Sequence, residues 1–232
     1  MEKIEIKEEE EVVAQTEEKQ EPTPEKGKKR LKIFGVELVY LCFLAIIVGV
    51  IGWVAENFVR LVARGIIDSR FHILPAIPVY GLIVFAVHLL FRDPDDMAFF
   101  GMRLFKEKSK KSVILSNLIC LLTIYAFVFF GELIVGNAWE IISGIEPWNY
   151  GNMPFHVTQY AGLIPTLGYG TGAYLLVKFA YRPAINLLQT KANYKVILII
   201  TVVVSTLMIV DEAAMLIQFF MGSKPVYWEI IF

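Results

Sequence analysis

The sequence predicts an all-α membrane protein, a polytopic bundle of about five transmembrane helices with its N-terminus inside and its C-terminus outside. Three observations carry that expectation. The 232 residues are 56% hydrophobic and only 19% charged, with a mean hydropathy of +0.56, more apolar than a soluble core of this size requires. Five runs reach the roughly 20 mainly apolar residues that a hydrocarbon core demands, near 36–58, 73–91, 113–135, 157–181 and 195–220. The formal charge of -1 hides a segregation, because the basic clusters lie beside those runs and not within them.

Residues 1–30 carry a dense Glu/Lys block with Pro22 and Pro24 and almost no apolar periodicity. They read as a disordered, charged cytoplasmic tail before a transmembrane domain over 31–232. The first apolar run begins only near Val36, so no cleaved signal peptide is expected. Leu38–Ala55 and Val113–Gly131 contain no charge, and Ile73–Phe91 contains only His88. The fourth run is interrupted by Pro165 and several glycines, and the fifth by Asp211 and Glu212, yet both have the length to cross.

Orientation follows from Lys and Arg. Lys26, Lys28, Lys29, Arg30 and Lys32 precede the first run, and Arg92, Arg103, Lys106, Lys108, Lys110 and Lys111 separate the second from the third. Those segments belong in the cytoplasm. Arg182 and Lys191 follow the fourth run, while Asn137–Tyr160 has neither Lys nor Arg. Arg60, Arg64 and Arg70 break the rule by falling on the outer side, which points to a functional or pairing requirement.

Glu56, Arg60 and Arg64 stand four apart on one helix face, and Glu132, Gly136 and Glu140 repeat the spacing. A lone ionised side chain at the middle of a transmembrane helix costs roughly 2.5–3.5 kcal/mol, so such ladders must face protein, water or a partner charge. A helix from Val36 to Arg64 would be about 43 Å long, beyond a core of about 30 Å, before Gly65 ends it; Gly144 would end the third helix the same way. Asp211 and Glu212 lie at a similar outward depth, and mutual neutralisation of these acids and arginines is the expected arrangement. Exposed pairs above the membrane are the blander alternative, each worth a few tenths of a kcal/mol. A shift of 84 residues lays Gly52 on Gly136, Glu56 on Glu140, Phe71 on Phe155 and His72 on His156, the pattern expected of two parallel two-helix repeats.

Gly52-Trp53, Glu56, Arg64-Gly65, Pro75, Pro78 and Tyr80-Gly81, followed by Glu132, Gly136, Glu140, Trp148-Asn149-Tyr150 and Gly162, occur in an order and spacing that resembles the bacterial CmpB-type ABC-transporter permease family over residues 45 to about 180. Two positions depart from that likeness: Asn149 stands where the family usually has Asp, and no Gly-Pro precedes Pro78-x-Tyr80-Gly81. The resemblance implies a polytopic permease in the cell membrane. The chain has no GxxxxGK[ST] phosphate loop, so a nucleotide-driven process would need a separate ATPase subunit. The basic 92–112 loop is its natural docking surface or, more simply, a topology determinant.

Thr166-Leu167-Gly168-Tyr169-Gly170 looks like a potassium-channel filter, but only 11 residues separate Gly170 from Arg182, too few for the inward helix a filter needs. Gly168 and Gly172 read instead as a small-residue packing seam. His72, His88 and His156 have no HxxxH or HExxH spacing, so no metal and no cofactor is expected. Trp53, Trp148, Tyr150, Tyr160 and Trp228 suit an outer aromatic belt. Cys42 and Cys120 lie in apolar runs and read as small apolar residues.

The leading functional expectation is a permease subunit whose outward vestibule, lined by Glu56, Arg60, Arg64, Glu132, Glu140, Asp211 and Glu212, admits a small polar or charged solute. A membrane-embedded enzyme using a carboxylate with His72 or His156 on lipid-linked substrates is the second reading, and a scaffold or regulator the third. The bilayer is the expected partner in each, with a homo-oligomer also open and no nucleic acid.

Overall fold

The chain is described by a computed structural model over residues 30–222 and 226–232. The charged tail expected over 1–30 lies outside the described residues, Arg30 excepted. From Lys32 to Phe232 the chain forms one compact unit. It opens on a hairpin, β1 (Lys32–Ile33) and β2 (Val36–Glu37), turned by Phe34 and Gly35 with φ of 46° and 88°. A second hairpin repeats the device, β4 (Ala98–Phe99) and β5 (Met102–Arg103) around Phe100 and Gly101 with φ of 47° and 87°. The ring of Phe34 rests where a side chain at Gly101 would be, so the two hairpins touch.

Helix α1 (Leu38–Arg64) runs on through its charged ladder and ends where Gly65 turns left-handed, φ 65°, its N–H donating to Leu61. Strand β3 (Ile66–Asp68) follows and pairs antiparallel with β6 (Glu229–Ile231), Ile66 opposite Ile231. The next stretch, residues 69–77, is irregular. Pro78 has no N–H and holds Ile77 extended, so helix α2 begins only there and covers Pro78–Leu90. Its 13 residues measure about 20 Å. The run expected as one helix over 73–91 is therefore an unwound segment followed by a short helix.

The unwound segment reaches deep into the bundle. The N–H of Ile77 donates to the carbonyl of Gly49 at 3.0 Å, halfway along α1. A Cβ at Gly49 would also stand 3.2 Å from the carbonyl oxygen of Ile77 and crowd it.

Helix α3 (Lys110–Ser143) is capped reciprocally by Ser109 and Ser112 and stops at Gly144, φ 67°. Its 34 residues extend about 51 Å. Helix α4 (Leu163–Leu176) starts six residues later than the fourth run and does not stop at 181. It passes through one wide turn, Val177–Tyr181, into α5 (Arg182–Lys191). Pro183 has no N–H for the carbonyl of Phe179, and the hydrogen-bond ladder widens just ahead of it. Asn193 then caps α6 (Tyr194–Phe220), its Oδ1 accepting from Lys195 and Val196.

Helix α2 packs along α1, α4 along α3, and α6 against α1. Two apolar cores form at the end where α1 begins. One joins Tyr40, Leu41 and Leu44 to Val84, Ile185, Leu188 and Ile197. The other joins Val87, Phe91 and Met97 to Cys120, Ile124 and Val177. Elsewhere large apolar side chains such as Ile114, Ile134, Val203 and Ile209 face outward, the pattern of a surface covered by acyl chains and not by water. Leu38–Val62, Lys110–Ser143 and Tyr194–Phe220 are each long and apolar enough to cross a membrane. The fold is thus the all-α bundle expected, its strands confined to three two-stranded ladders among the described residues. One packing expectation is corrected. Side chains added at Gly168 or Gly172 would meet nothing within 4 Å, and it is Gly170 that takes a neighbour, the ring of Tyr125.

Candidate functional site

The charged residues singled out from the sequence gather at the opposite end from the two apolar cores, but they do not neutralise one another as expected. Glu56 alone among them holds an arginine, and that arginine is Arg70 from the irregular segment, with Nε 2.8 Å from Glu56 Oε2. The other oxygen of Glu56 accepts from the hydroxyl of Tyr80 at 2.5 Å. Arg60 turns away from Glu56 and donates through Nη1 to Asp68 Oδ2 at 2.5 Å. Arg64 is exposed and has no ion pair among the described residues.

Asp68 is the residue that sequence reasoning missed. Its side chain is wholly buried, yet both oxygens are used, Oδ2 by Arg60 and Oδ1 by the backbone N–H of Arg70 at 2.9 Å. Its own N–H donates to Oδ1 of buried Asn57. No helical spacing joins Arg60 to Asp68, because the turn at Gly65 intervenes.

On α3, Glu132 accepts from the hydroxyl of Tyr150 at 3.0 Å, while its Oε2 is buried without a hydrogen-bond partner. Burial, and next the charge of Glu132, push the Tyr150 phenol well above the ordinary tyrosine range, so it stays a donor. Tyr169 on α4 lies within the field of both Glu56 and Glu132. Glu140 accepts from Tyr160 at 2.6 Å and from Gln159 at 3.2 Å. Acids expected to meet arginines therefore meet tyrosine hydroxyls, which neutralise nothing but satisfy lone pairs without bringing a second charge into the bundle.

Asp211 serves the backbone. Buried on α6, it accepts from the N–H groups of Ile73 and Leu74 at 3.0 Å, donors left unpaired because residues 69–77 are not helical. His72 Nδ1 sits 3.9 Å from Asp211 and 3.8 Å from half-exposed Glu212, beyond direct hydrogen-bond reach. His156 Nδ1 faces the carbonyl of Met153. His88 lies at the far end, between the hydroxyl of Tyr181 and the carbonyl of Ile33. Among the described residues no His, Cys, Asp and Glu cluster suits a metal ion.

Two local arrangements repeat. At Gly52 the missing side chain leaves room for the ring of Tyr80, whose hydroxyl reaches Glu56 one turn on; at Gly136 the ring of Tyr160 does the same and reaches Glu140. Phe71 and Phe155, paired by the 84-residue shift, are both left-handed, with φ of 66° and 59°. Trp53 Nε1 donates to Ser69 and Trp148 Nε1 to Tyr160, so the aromatic residues expected as a belt also tie the loops to the helices.

Beside the Arg60–Asp68 pair lies a cavity of about 340 Å³, lined by Arg60, Asp68, Arg70, Phe71, Glu146 and Tyr227; of the site residues expected from the sequence, Arg60 alone is on that lining.

Apolar outer surfaces, membrane-length helices and a polar end built from several of them define a multi-pass membrane protein. Residues 43–216 match the family described as "Putative ABC-transporter type IV", and the chain belongs to that family. It is a permease-type transporter subunit. No curated protein and no solved structure gave a match.

Proposed function

We propose that this subunit passes a small polar or charged solute through its charged end, which faces outward, with Glu56, Arg60, Arg64, Glu132, Glu140, Asp211 and Glu212 lining or supporting the vestibule. The buried, unpartnered oxygen of Glu132 carries the proposal. A carboxylate held by one hydroxyl and no cation is costly in a structural role, and an intramembrane acid retained at that cost marks a substrate or ion pathway.

The reading takes five crossings. Helix α2 covers only about 20 Å, but the unwound residues 69–77, whose N–H groups at Ile73, Leu74 and Ile77 find acceptors on α6 and α1, would complete the passage of a core of about 30 Å. The continuous run from Leu163 to Lys191 supplies the fourth crossing. Lys32, Arg92, Arg103 and Lys110 share the end where α1 and α6 begin, which supports that end as cytoplasmic and the C-terminus as external. A separate ATPase subunit would dock there, and the bilayer encloses the rest. Residues 1–30 then form a cytoplasmic tail.

Untargeted profiling of small molecules inside and outside cells tests this. Deleting the chain should change a defined set of solutes, wild-type protein should reverse the change, and Glu132→Gln at equal protein level should not. Full reversal by both Glu132→Gln and Glu56→Gln would end the proposal.

A further inference from the structure

We infer that the outer cavity binds a small anion, a carboxylate joined to an apolar or aromatic group, gripped by the free edges of Arg60 and Arg70. The inference rests on the outer end being the solute's way in.

Each guanidinium group is held by one acid through one of its three nitrogens. Arg60 spends Nη1 on Asp68, which leaves Nε and Nη2, the side-on pair of parallel N–H donors that matches the two oxygens of a carboxylate. Arg70 meets Glu56 through Nε, which leaves Nη1 and Nη2, the end-on pair. Neither edge has another partner among the described residues, and both arginines line the cavity. The acids that hold them cannot compete for the solute. Asp68 has both oxygens engaged and is wholly buried. Glu56 has one oxygen on Tyr80 and the other on Arg70. Glu146 is the one remaining carboxylate on the lining, and it is exposed and accepts from Asn149 Nδ2 at 3.1 Å. A cationic solute would meet two guanidinium edges, whereas a carboxylate satisfies them.

The rest of the lining selects the other half of the ligand. Phe71 and Tyr227 both line the cavity, their ring centres 5.4 Å apart, and Ile145 joins them on the lining. Phe71 adopts φ 66°, a conformation unfavourable for a bulky aromatic residue. Contacts with Trp139 and Phe219 hold its ring in place. At about 340 Å³ the cavity stands at the lower end of the range for small-molecule sites, roughly 300–1,000 Å³.

Benzoate and benzamidinium, nearly equal in shape and opposite in charge, are the probes, titrated calorimetrically into the full chain in lipid nanodiscs. Benzoate should bind saturably and benzamidinium should not. Arg70→Lys keeps a charge for Glu56 but removes the fork, and Ile145→Trp fills the cavity from its exposed wall without touching either ion pair. Each should weaken benzoate at least about tenfold, the loss expected when a bidentate charged contact or its space is removed. Equal binding of benzamidinium, no saturable benzoate binding, or unaltered affinity in Ile145→Trp would overturn the inference. Benzoate bound as expected in a chain whose Glu132→Gln and Glu56→Gln forms are both fully active would keep the anion site and remove the proposed route. Loss of activity in Glu132→Gln with no benzoate binding would remove the anion site alone.

Discussion

Tyr80 donates its hydroxyl to Glu56 across 2.5 Å while its ring fills the space that Gly52 leaves on α1. One turn of helix thus carries both the gap and the acceptor, and the same unit recurs at Gly136, Glu140 and Tyr160. The glycines let a tyrosine lie against a helix backbone closely enough to reach the carboxylate one turn on, Glu56 or Glu140.

Adding one methyl group tests that fit. A Cβ at Gly52 would stand 2.4 Å from the Tyr80 ring, and one at Gly136 would stand 2.5 Å from the Tyr160 ring. Gly52→Ala and Gly136→Ala should each destabilise the protein by about 1–3 kcal/mol through overpacking. Gly131→Ala meets nothing within 4 Å and should be neutral or stabilising by up to about 1 kcal/mol, the helix-propensity gain. Thermal unfolding of the three variants in one detergent compares them.

Replacing Asp211 with Ala leaves the N–H groups of Ile73 and Leu74 without their acceptor. A loss of about 1–3 kcal/mol is expected, since buried donors are left unsatisfied. Hydrogen exchange should quicken across 73–77 and stay unchanged at Gly144, whose N–H bonds within α3. Uniform acceleration throughout the chain would mean that Asp211 holds the whole bundle and not this segment.

Glu56 and Glu132 should respond oppositely to the same isosteric change. Glu56→Gln removes the charge opposite Arg70 and should cost about 1–3 kcal/mol. Glu132→Gln removes a charge that faces no cation, so stability should be unchanged or rise by about 1 kcal/mol. Chemical denaturation of both variants reads the contrast, and equal losses would show that Glu132 has a cationic partner after all.

The ladder between β3 and β6 sets Ile66 opposite Ile231. In a background free of Cys42 and Cys120, cysteines at 66 and 231 should cross-link under mild oxidation, while cysteines at 66 and 229 should not. In intact cells a membrane-impermeant thiol reagent should reach a lone cysteine at 231. Labelling only after permeabilisation would reverse the proposed orientation.

Much of the bundle is legible in local sequence. Charge-free Leu38–Ala55 and Val113–Gly131 become the bodies of α1 and α3, and Gly65 and Gly144 end those helices because only glycine takes the left-handed turn without strain. The second run was less legible. Its hydropathy is that of a crossing helix, but Pro78 delays the helix, and an unwound segment can reach the depth of Gly49 only because Asp211, far along the chain, supplies acceptors. The fourth run hid its extent for a similar reason, since a wide turn carried the helix past a polar Arg182-Pro183 pair that reads as a stop.

From the sequence alone came the membrane, the helices, the basic end and the level at which acids and arginines collect. These depend on hydropathy, glycine and proline chemistry and a four-residue spacing, all properties of neighbouring residues. Tertiary structure decided which groups meet: Arg60 with Asp68, Arg70 with Glu56, tyrosines with Glu132 and Glu140, and Asp211 with bare backbone. Those pairings depend on how each helix is rotated and on where irregular backbone needs an acceptor, and both are set by packing between distant segments.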